Sequence, residues 1–524
     1  MSIAQNFPAL KPSLNLDFAN VKKLDPLISF SRASGATYYD GKTVAKAEEN
    51  LFTFSEQFDN AAWLKSQSTV TANDTTAPDG TTTADKLNET AITAEFQVRQ
   101  SAPTSTTFTA SVFAKKSERD KVYIQFVATS NEYVFFDLTN GTVAGSHLAN
   151  TSNTASRSSA ITSVGNDWYR CSITVTLNTA SAPSIRIGVS DTIVSASPAY
   201  AGTAGSGIFI WGAQLEQRSA PTAYTATTTQ PITNYIPVLQ TASANTARFD
   251  HDPVTGESLG LLVEEQRTNL VLRSEDFGNV YWQTASNVTV ETNQIIAPDG
   301  TLTGDLLREA ATTSTHRLSA NNNSGVTGSV STSAATFSCY LKKGTRDFAR
   351  LSITDSFGNK QLNAYFDLAN GAVGTVSAVG GASGQTASIV YVGNGWYRCV
   401  VSGTIGISAP NNLIFCFVFL APADNTSSYL GDVLKYIYIW GAQLEASTKA
   451  TSYIKTEASQ VTRAIDNPTP LTAETNGTLL VQAPDGTYTT SEKVLGDSIA
   501  IPSAKKIYHY PQTLTAGQIA ALTS

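Results

Sequence analysis

The sequence has little charge: Asp, Glu, Lys and Arg together make up 15% of its 524 residues, and no block of basic residues stands out. The net charge is −7, and phosphate binding needs a concentrated basic face, so nucleic acid is not expected as a partner. No apolar run approaches the roughly 18 residues of a membrane span, and no signal-peptide pattern opens the chain, so we expect neither membrane insertion nor secretion by that route. With 41% hydrophobic residues, 22 Phe and 20 Tyr, the composition predicts a folded protein.

The residues that usually carry chemistry are also few. The four cysteines match no zinc spacing, which favours free buried thiols. The four histidines lie in no metalloprotease-like or Ser/His/Asp pattern, and acidic residues are scattered without a recognisable pair. We therefore predict no catalytic residues, no cofactor and no enzymatic activity. A structural calcium ion at a loop carboxylate such as Asp79 or Asp299 is an alternative that the sequence leaves open.

An internal repeat is the main feature of the sequence. Five blocks of the first half return in the same order in the second, displaced by 219 residues for Trp63 and Trp282 (282−63) and by 229 for Trp211 and Trp440 (440−211). The offset drifts only between blocks, where loops tolerate insertions, so the pattern indicates duplication of a whole domain. The blocks are residues 55–63 with 274–282, 77–81 with 297–301, 136–141 with 366–371, 168–171 with 396–399, and 210–216 with 439–445.

The local pattern predicts strands and turns. Short alternating segments are separated by turns such as Asn140-Gly141 and Asn370-Gly371, and no amphipathic helix of about 15 residues occurs in either copy. We predict an all-β fold with two tandem jelly-roll β-sandwich domains and short terminal segments. The predicted parts are an extended N-terminal segment (1–48), module 1 (49–227), a connector (228–266), module 2 (267–456), and a small β-rich C-terminal segment ending in a short helix (457–524).

Aligning the strands of the two copies predicts which side chains point away from the core. One face of each strand is apolar in both copies and is assigned to the core; in the strand at 184–189 we match Arg186 and Gly188 with Phe415 and Phe417. The opposite face carries aromatic and polar side chains that differ between the copies. These outward candidates are Tyr123, Gln125, Tyr133, Phe135 and Arg186 in module 1, and Arg350, Ser352, Tyr365, Phe415 and Phe417 in module 2.

Two roles fit such faces. Aromatic rings stack on the C–H surfaces of sugars, while Gln, Asn and Arg supply hydrogen bonds to hydroxyl groups, so the mixture suits a glycan. It equally suits packing against another subunit or domain. The repeated tryptophans inside apolar strands are predicted to be core residues, whereas the pair at the start of each module is assigned either to the core or to a ligand contact. The first group is Trp168, Trp396, Trp211 and Trp440, and the second is Trp63 and Trp282.

Several of these motifs resemble those of phage virion proteins described as head-spike fibres, tail fibres or carbohydrate-binding-module-like proteins. The motifs are Ser-Glu-x-Phe-x-Asn-x-x-Trp, Ala-Pro-Asp-Gly-Thr, and Trp-Gly-Ala-Gln-Leu-Glu followed by an aromatic residue, Tyr224 or Tyr453. The resemblance covers roughly residues 16–456. It implies a concanavalin-A-like or galactose-binding-like sandwich, a position on the virion surface after assembly in the host cytoplasm, other virion proteins and host-surface polysaccharide as partners, and a homotrimer.

The leading hypothesis is therefore a phage head or tail fibre whose tandem modules attach to a host glycan, where paired modules strengthen weak contacts. One alternative is a purely structural capsid-decoration or tail-adaptor protein. Another is a polysaccharide depolymerase. Residues 1–48 are expected to anchor the protein to the particle, with residues 457–524 as the other candidate.

Overall fold

The computed structural model describes residues 10–127, 131–148, 153–193, 198–282, 286–320, 334–355, 358–406 and 414–523. Residues 1–9 of the proposed anchoring segment lie outside this range. In the described residues, helix is limited to α1 (Phe18–Val21), α2 (Ala516–Thr523) and a 3-10 turn at Val280–Trp282. None of the helices found there is long and apolar enough to cross a membrane. The prediction of an all-β protein is confirmed.

Strands of the first half of the chain alternate with tight turns. Gly141, for example, adopts φ +62° after Asn140, a conformation that favours glycine and lets the chain reverse. The strands are β1 (Leu14–Asp17), β2 (Phe30–Ser31), β3 (Ala36–Asn50), β4 (Leu64–Ser66), β5 (Ser68–Thr75), β6 (Ala84–Glu89), β7 (Thr93–Ala94), β8 (Phe96–Ser101), β9 (Ser105–Lys116), β10 (Lys121–Val127), β11 (Asn131–Asp137), β12 (Thr142–Leu148), β13 (Thr154–Gly165), β14 (Trp168–Ser181), β15 (Ser184–Ser190), β16 (Tyr200–Ala201) and β17 (Gly207–Glu216).

The second half repeats this pattern, and Gly371 adopts φ +66° at the place of Gly141. The strands are β18 (Ile232–Ala242), β19 (Arg248–His251), β20 (Ser258–Leu262), β21 (Arg267–Asn269), β22 (Val288–Ile295), β23 (Gly304–Glu309), β24 (Thr313–Ser314), β25 (His316–Ser319), β26 (Ala334–Lys343), β27 (Phe348–Asp355), β28 (Gln361–Asp367), β29 (Ala372–Val379), β30 (Ser383–Gly393), β31 (Trp396–Thr404), β32 (Ile414–Ala421), β33 (Tyr429–Leu430), β34 (Tyr436–Glu445), β35 (Val461–Arg463), β36 (Asn467–Pro468), β37 (Leu471–Thr472), β38 (Gly477–Gln482), β39 (Tyr488–Lys493), β40 (Ser498–Ile499) and β41 (Lys506–Tyr510).

The chain divides into two units, residues 46–235 on the one hand and residues 1–45 with 236–524 on the other. In the unit of residues 46–235, two antiparallel sheets have the strand orders β12-β11-β10-β15-β8-β4 and β13-β14-β9-β17-β6-β5. Ile124 of the first sheet and Val112 of the second belong to one buried apolar cluster, so the two sheets share a core. Between β8 and β17 the chain passes repeatedly from one sheet to the other.

Module 2, in the other unit, has the same arrangement. Its sheets have the orders β22-β23-β34-β26-β31-β30 and β25-β32-β27-β28-β29. Position by position these match the sheets of module 1, except that β4 has no counterpart strand among the described residues. Leu351 and Cys339 lie in the shared core, at the places of Ile124 and Val112. The duplicated sequence therefore folds with one strand order in both copies.

A further small body in the unit of residues 1–45 and 236–524 is assembled from three distant segments. The sheet β1-β41-β38-β39 joins a strand near one end of the sequence to strands near the other. Its core includes Leu16 from β1, Leu261 from the connector, and Leu479 and Ile507 from the C-terminal segment. The segments flanking module 2 thus share one apolar core.

A buried ionic cluster links the same three segments. Asp466 accepts a hydrogen bond from Arg32 at 2.9 Å and a second one from Arg248, and all three side chains are inaccessible to solvent. Arg248 also contacts Glu264 at 2.8 Å, and the buried Arg463 lies 3.6 Å from that carboxylate. Because each charge has an opposite partner, the cluster can remain ionised within the fold.

The repeated tryptophans are buried in both copies, including Trp63 and Trp282. Each indole N–H donates to the same kind of acceptor in the two modules, which leaves no polar atom of these rings unpaired. The bonds run from Trp63 to Phe54 O and Trp282 to Arg273 O (both 2.9 Å), from Trp168 to Thr76 O and Trp396 to Ile296 O (both 3.0 Å), and from Trp211 to Thr83 Oγ1 (3.1 Å) and Trp440 to Thr303 Oγ1 (3.0 Å).

The four cysteines are free and buried. Cys171 lies in the module 1 core, whereas Cys339, Cys399 and Cys416 lie in the module 2 core. Cys339 and Cys399 are opposite each other on adjacent strands β26 and β31. The thiols pack as small apolar groups, as the sequence predicted.

Candidate functional site

The outward face of the first module 1 sheet is built by strand alternation. In β10, Val122, Ile124 and Phe126 enter the core, so Tyr123 and Gln125 point to the opposite side. Register then sets their neighbours: Tyr123 lies opposite Phe135 of β11 and Gly188 of β15, and Gln125 lies opposite Tyr133 and Arg186. The five module 1 candidates are therefore adjacent on one face, as predicted.

These side chains were expected on an outward face, but most of them are buried. Tyr123 and Phe135 are 0% and 1% exposed, and Gln125 and Tyr133 are also buried. The rings cover one another, with the Tyr123 centroid 6.0 Å from Tyr133 and 5.8 Å from Phe135, while the latter two are stacked at 6.3 Å. The Tyr123 ring also fills the space above Gly188, where a Cβ atom would lie 2.2 Å away. This burial raises the pKa of Tyr123 well above its usual range.

Polar groups at the edge of the module 1 face are paired internally. Arg186, which stays partly exposed, lies 3.5 Å from the carboxylate of Glu95 and donates to Gln125 at 3.3 Å. The hydroxyl of Tyr123 donates to Gln97 at 3.5 Å, a long and weak bond. Of the two guanidinium groups on this face, that of Arg186 therefore has a carboxylate partner, and Arg99 of β8 lies opposite it and is partly exposed.

The equivalent face of module 2 carries a row of four side chains, one from each of four adjacent strands. Register places Phe419 of β32 opposite Arg317 of β25 on one side and Arg350 of β27 on the other, and Arg350 lies opposite Tyr365 of β28. The Arg350 guanidinium lies 3.6 Å from the Phe419 ring centroid and 5.6 Å from that of Tyr365. Arg317 lies 5.9 Å from Phe419 and 5.0 Å from Phe417. Both cations thus lie within cation–π distance of the rings.

A second row lies beside the first. Phe417 lies opposite Ser352 and is partly exposed, whereas Ser352 is buried and donates to Asn363 at 2.7 Å. The remaining candidate, Phe415, is buried and lies opposite Thr354, further along the strands. Among the module 2 candidates, solvent therefore reaches Arg350 and Phe417, while Tyr365, Ser352 and Phe415 are buried.

The matching of one strand between the modules needs correction. Gln125 lies opposite Arg186, and its counterpart Ser352 lies opposite Phe417. Arg186 therefore corresponds to Phe417 rather than to Phe415, and Gly188 corresponds to Phe419. The alternating apolar pattern allowed this error, because a slip of two residues keeps every side chain on its own face. Phe419 and Arg317 were missed for this reason and because β25 is only four residues long.

The loop carboxylates considered for calcium serve as turn acceptors. Asp79 accepts from the backbone N–H of Thr81 at 2.9 Å, and Asp299 accepts from that of Thr301 at 3.0 Å. The structure, within its described ranges, contains no group of three or more His, Cys, Asp or Glu side chains that could hold a metal ion.

Neither the models of known protein families nor the curated proteins searched contain a match to this chain. The interpretation of the site therefore depends on its geometry and on the sequence motifs.

Proposed function

We propose that the chain is a phage virion appendage protein whose module 2 binds a glycan of the host envelope. Three lines support it: the resemblance of the repeated motifs to virion fibre proteins, the strand order common to both modules, and the composition of the module 2 face. We also propose that each pair of sheets is a jelly-roll sandwich, because the chain alternates between two antiparallel sheets around one core.

The observation that carries the proposal is the partly open aromatic and cationic surface formed by Phe417, Arg317 and Arg350. An aromatic ring with solvent access can stack on the C–H face of a sugar. Guanidinium groups beside it can donate hydrogen bonds to sugar oxygens in a fixed fork geometry. Rings and directed donors are thus combined in one place, as in sites that bind small polar ligands.

Module 1 has a different role in this proposal. Its rings are buried against one another, and its Arg186 is paired with Glu95. A face of this kind offers little to a sugar, which favours a spacer or packing role for module 1. The purely structural alternative is therefore retained for this module.

Attachment through one module per chain gains strength from oligomerisation. A homotrimer would present three copies of the module 2 face, and simultaneous binding raises the overall affinity without new contacts. We propose such a trimer on the virion surface, with other virion proteins and host polysaccharide as partners. Gold-labelled antibody against the chain, imaged on particles by electron microscopy, would show whether it lies on the head or the tail.

A glycan array probed with the full-length chain tests the function. We expect binding to at least one polysaccharide of the host surface, and a roughly tenfold loss for Phe417→Ser, equivalent to about 1.4 kcal/mol. Val390→Ser is the matched control, because Val390 is 51% exposed and lies in β30, in the other sheet of module 2. Silence of the wild-type protein on host polysaccharide would favour the structural alternative.

A further inference from the structure

The two arginines of the module 2 face lie on either side of one aromatic residue, and both are poorly hydrogen-bonded. Arg317 and Arg350 flank the Phe419 ring from neighbouring strands. The Arg350 guanidinium makes one hydrogen bond within the described chain, a long one of 3.4 Å to the Tyr365 hydroxyl. For the Arg317 guanidinium the described residues provide none. The Nε atoms of both side chains are buried without a partner.

Arg317 and Arg350 also have no carboxylate ion-pair partner among the described residues. No acidic side chain of the described ranges lies within ion-pair distance of Arg317 or Arg350, while Arg186 on the module 1 face pairs with Glu95 at 3.5 Å. The difference has a simple origin in the sequence. Gln97 of β8 corresponds to Arg317 of β25, so Glu95, two residues earlier, corresponds to Thr315. At this place on the face, module 2 thus carries the cation Arg317 where module 1 has Gln97, and it lacks a counterpart of Glu95.

Two like charges on either side of one ring in a partly buried place are stabilised by an anion that contacts both. A carboxylate suits this geometry because its two oxygens accept from the guanidinium fork, and the pair is less strongly solvated here than in water. The overall charge of the chain is −7, so non-specific attraction to polyanions is not expected. Selectivity for an anionic ligand must therefore come from Arg317 and Arg350 themselves.

We propose that the module 2 face binds an acidic polysaccharide, with a sugar carboxylate between Arg317 and Arg350 and the sugar ring against Phe417. This inference rests on the proposed glycan-binding function and specifies its ligand class. A sugar acid matches the site better than an acidic peptide, because the partly exposed ring beside the cations complements a C–H surface as well as a charge.

The test uses the full-length chain and an oligogalacturonate of fixed length, with the fully methyl-esterified oligomer of the same length as the neutral ligand. We expect the acid to bind at least about tenfold more tightly than the ester, and its affinity to fall as salt is raised. Arg317→Gln and Arg350→Gln should each reduce acid binding by about tenfold and reduce ester binding much less, because the ester loses only a hydrogen bond to a neutral oxygen. Arg308→Gln is the control, because Arg308 pairs with Glu291 in the other sheet of module 2.

The outcomes separate this inference from the function on which it rests. Equal affinity for acid and ester overturns the inference and leaves glycan binding intact, whereas absence of binding to every glycan on the array overturns both. Poly-glutamate binding as tightly as the oligogalacturonate would also overturn it, in favour of an acidic peptide.

Should a Gln variant fail to give a wild-type melting curve, Arg350→Lys replaces it, because Lys keeps the charge and loses the fork. Unchanged acid affinity in that variant contradicts the proposal.

Discussion

Leu16 in β1 lies directly opposite Ile507 in β41, so residues near the two ends of the sequence occupy adjacent positions in one sheet. β41 is the inner strand of this pair, because it also pairs with β38 on its other side. Both side chains belong to the apolar core that the terminal segments share with the connector. The segment following module 2 is therefore structurally required by the segment preceding module 1.

Deleting residues 505–524 should unfold this small body. Without β41, β1 and β38 lose their shared partner, and the Leu16 and Leu479 side chains lose part of their cover. Hydrogen exchange read by mass spectrometry should show loss of protection in β1. Deletion of residues 516–524 is the control, because α2 contains no buried residue. Protection of β1 after loss of β41 would contradict the role assigned to this pairing.

Asp466→Asn should strongly destabilise the unit that contains it. The substitution removes the negative charge shared by Arg32 and Arg248, which leaves the buried Arg32 without a carboxylate partner and Arg248 with Glu264 alone. Breaking a buried pair in this way costs roughly 3–5 kcal/mol. Urea unfolding measures the loss, and Glu474→Gln at an exposed position provides the control. A variant that unfolds at the wild-type urea concentration would show that the cluster does not stabilise the fold.

Asp305 should make stability depend on pH. Burial raises its pKa to about 7, although backbone N–H groups of Asn293 and Phe277 donate to it and lower the value. The folded pKa exceeds the ordinary value of about 3.9 for an Asp side chain, so the folded state holds the proton more tightly than the unfolded chain does. This contribution is complete below about pH 4 and is lost as pH rises through 7, at up to about 1.4 kcal/mol per pH unit.

Asp305→Asn, which cannot ionise, should therefore flatten the fall in urea stability between pH 5 and pH 8. The same measurement on Asp299→Asn, at a partly exposed turn, should give the wild-type slope. Identical slopes for Asp305→Asn and the wild type would mean that the two backbone N–H donors lower the pKa of Asp305 by as much as burial raises it. Asp85 is the corresponding residue of module 1, and burial raises its pKa as well.

Local features of the fold could be read from the sequence because they depend on neighbouring residues. The Asn140-Gly141 turn, the alternation around Ile124 and the repeated tryptophans are of this kind, and the repeat itself predicted that both copies share one topology. Pairing of Leu16 with Ile507 could not be foreseen, since no periodic pattern connects such distant strands.

The candidate site was predictable in composition but not in accessibility. Alternation placed Tyr123, Tyr133 and Phe135 on the outward face, yet whether rings cover one another depends on three-dimensional packing. Gly188 was the one available signal, because a glycine opposite an aromatic residue leaves space for its ring. The pairing of Phe419 with both arginines required the register of β32, which a two-residue repeat leaves undetermined.

The distribution of the thiols gives each module its own chemical reporter. Cys171 lies in the unit of residues 46–235. The other three thiols lie in module 2: Cys339, Cys399 and Cys416. Burial raises the pKa of Cys416 to about 12 and those of the others likewise, so an alkylating reagent reacts only when a core opens. Mass spectrometry of pulse-alkylated protein would then record how often each module opens in the intact chain, without an engineered cysteine.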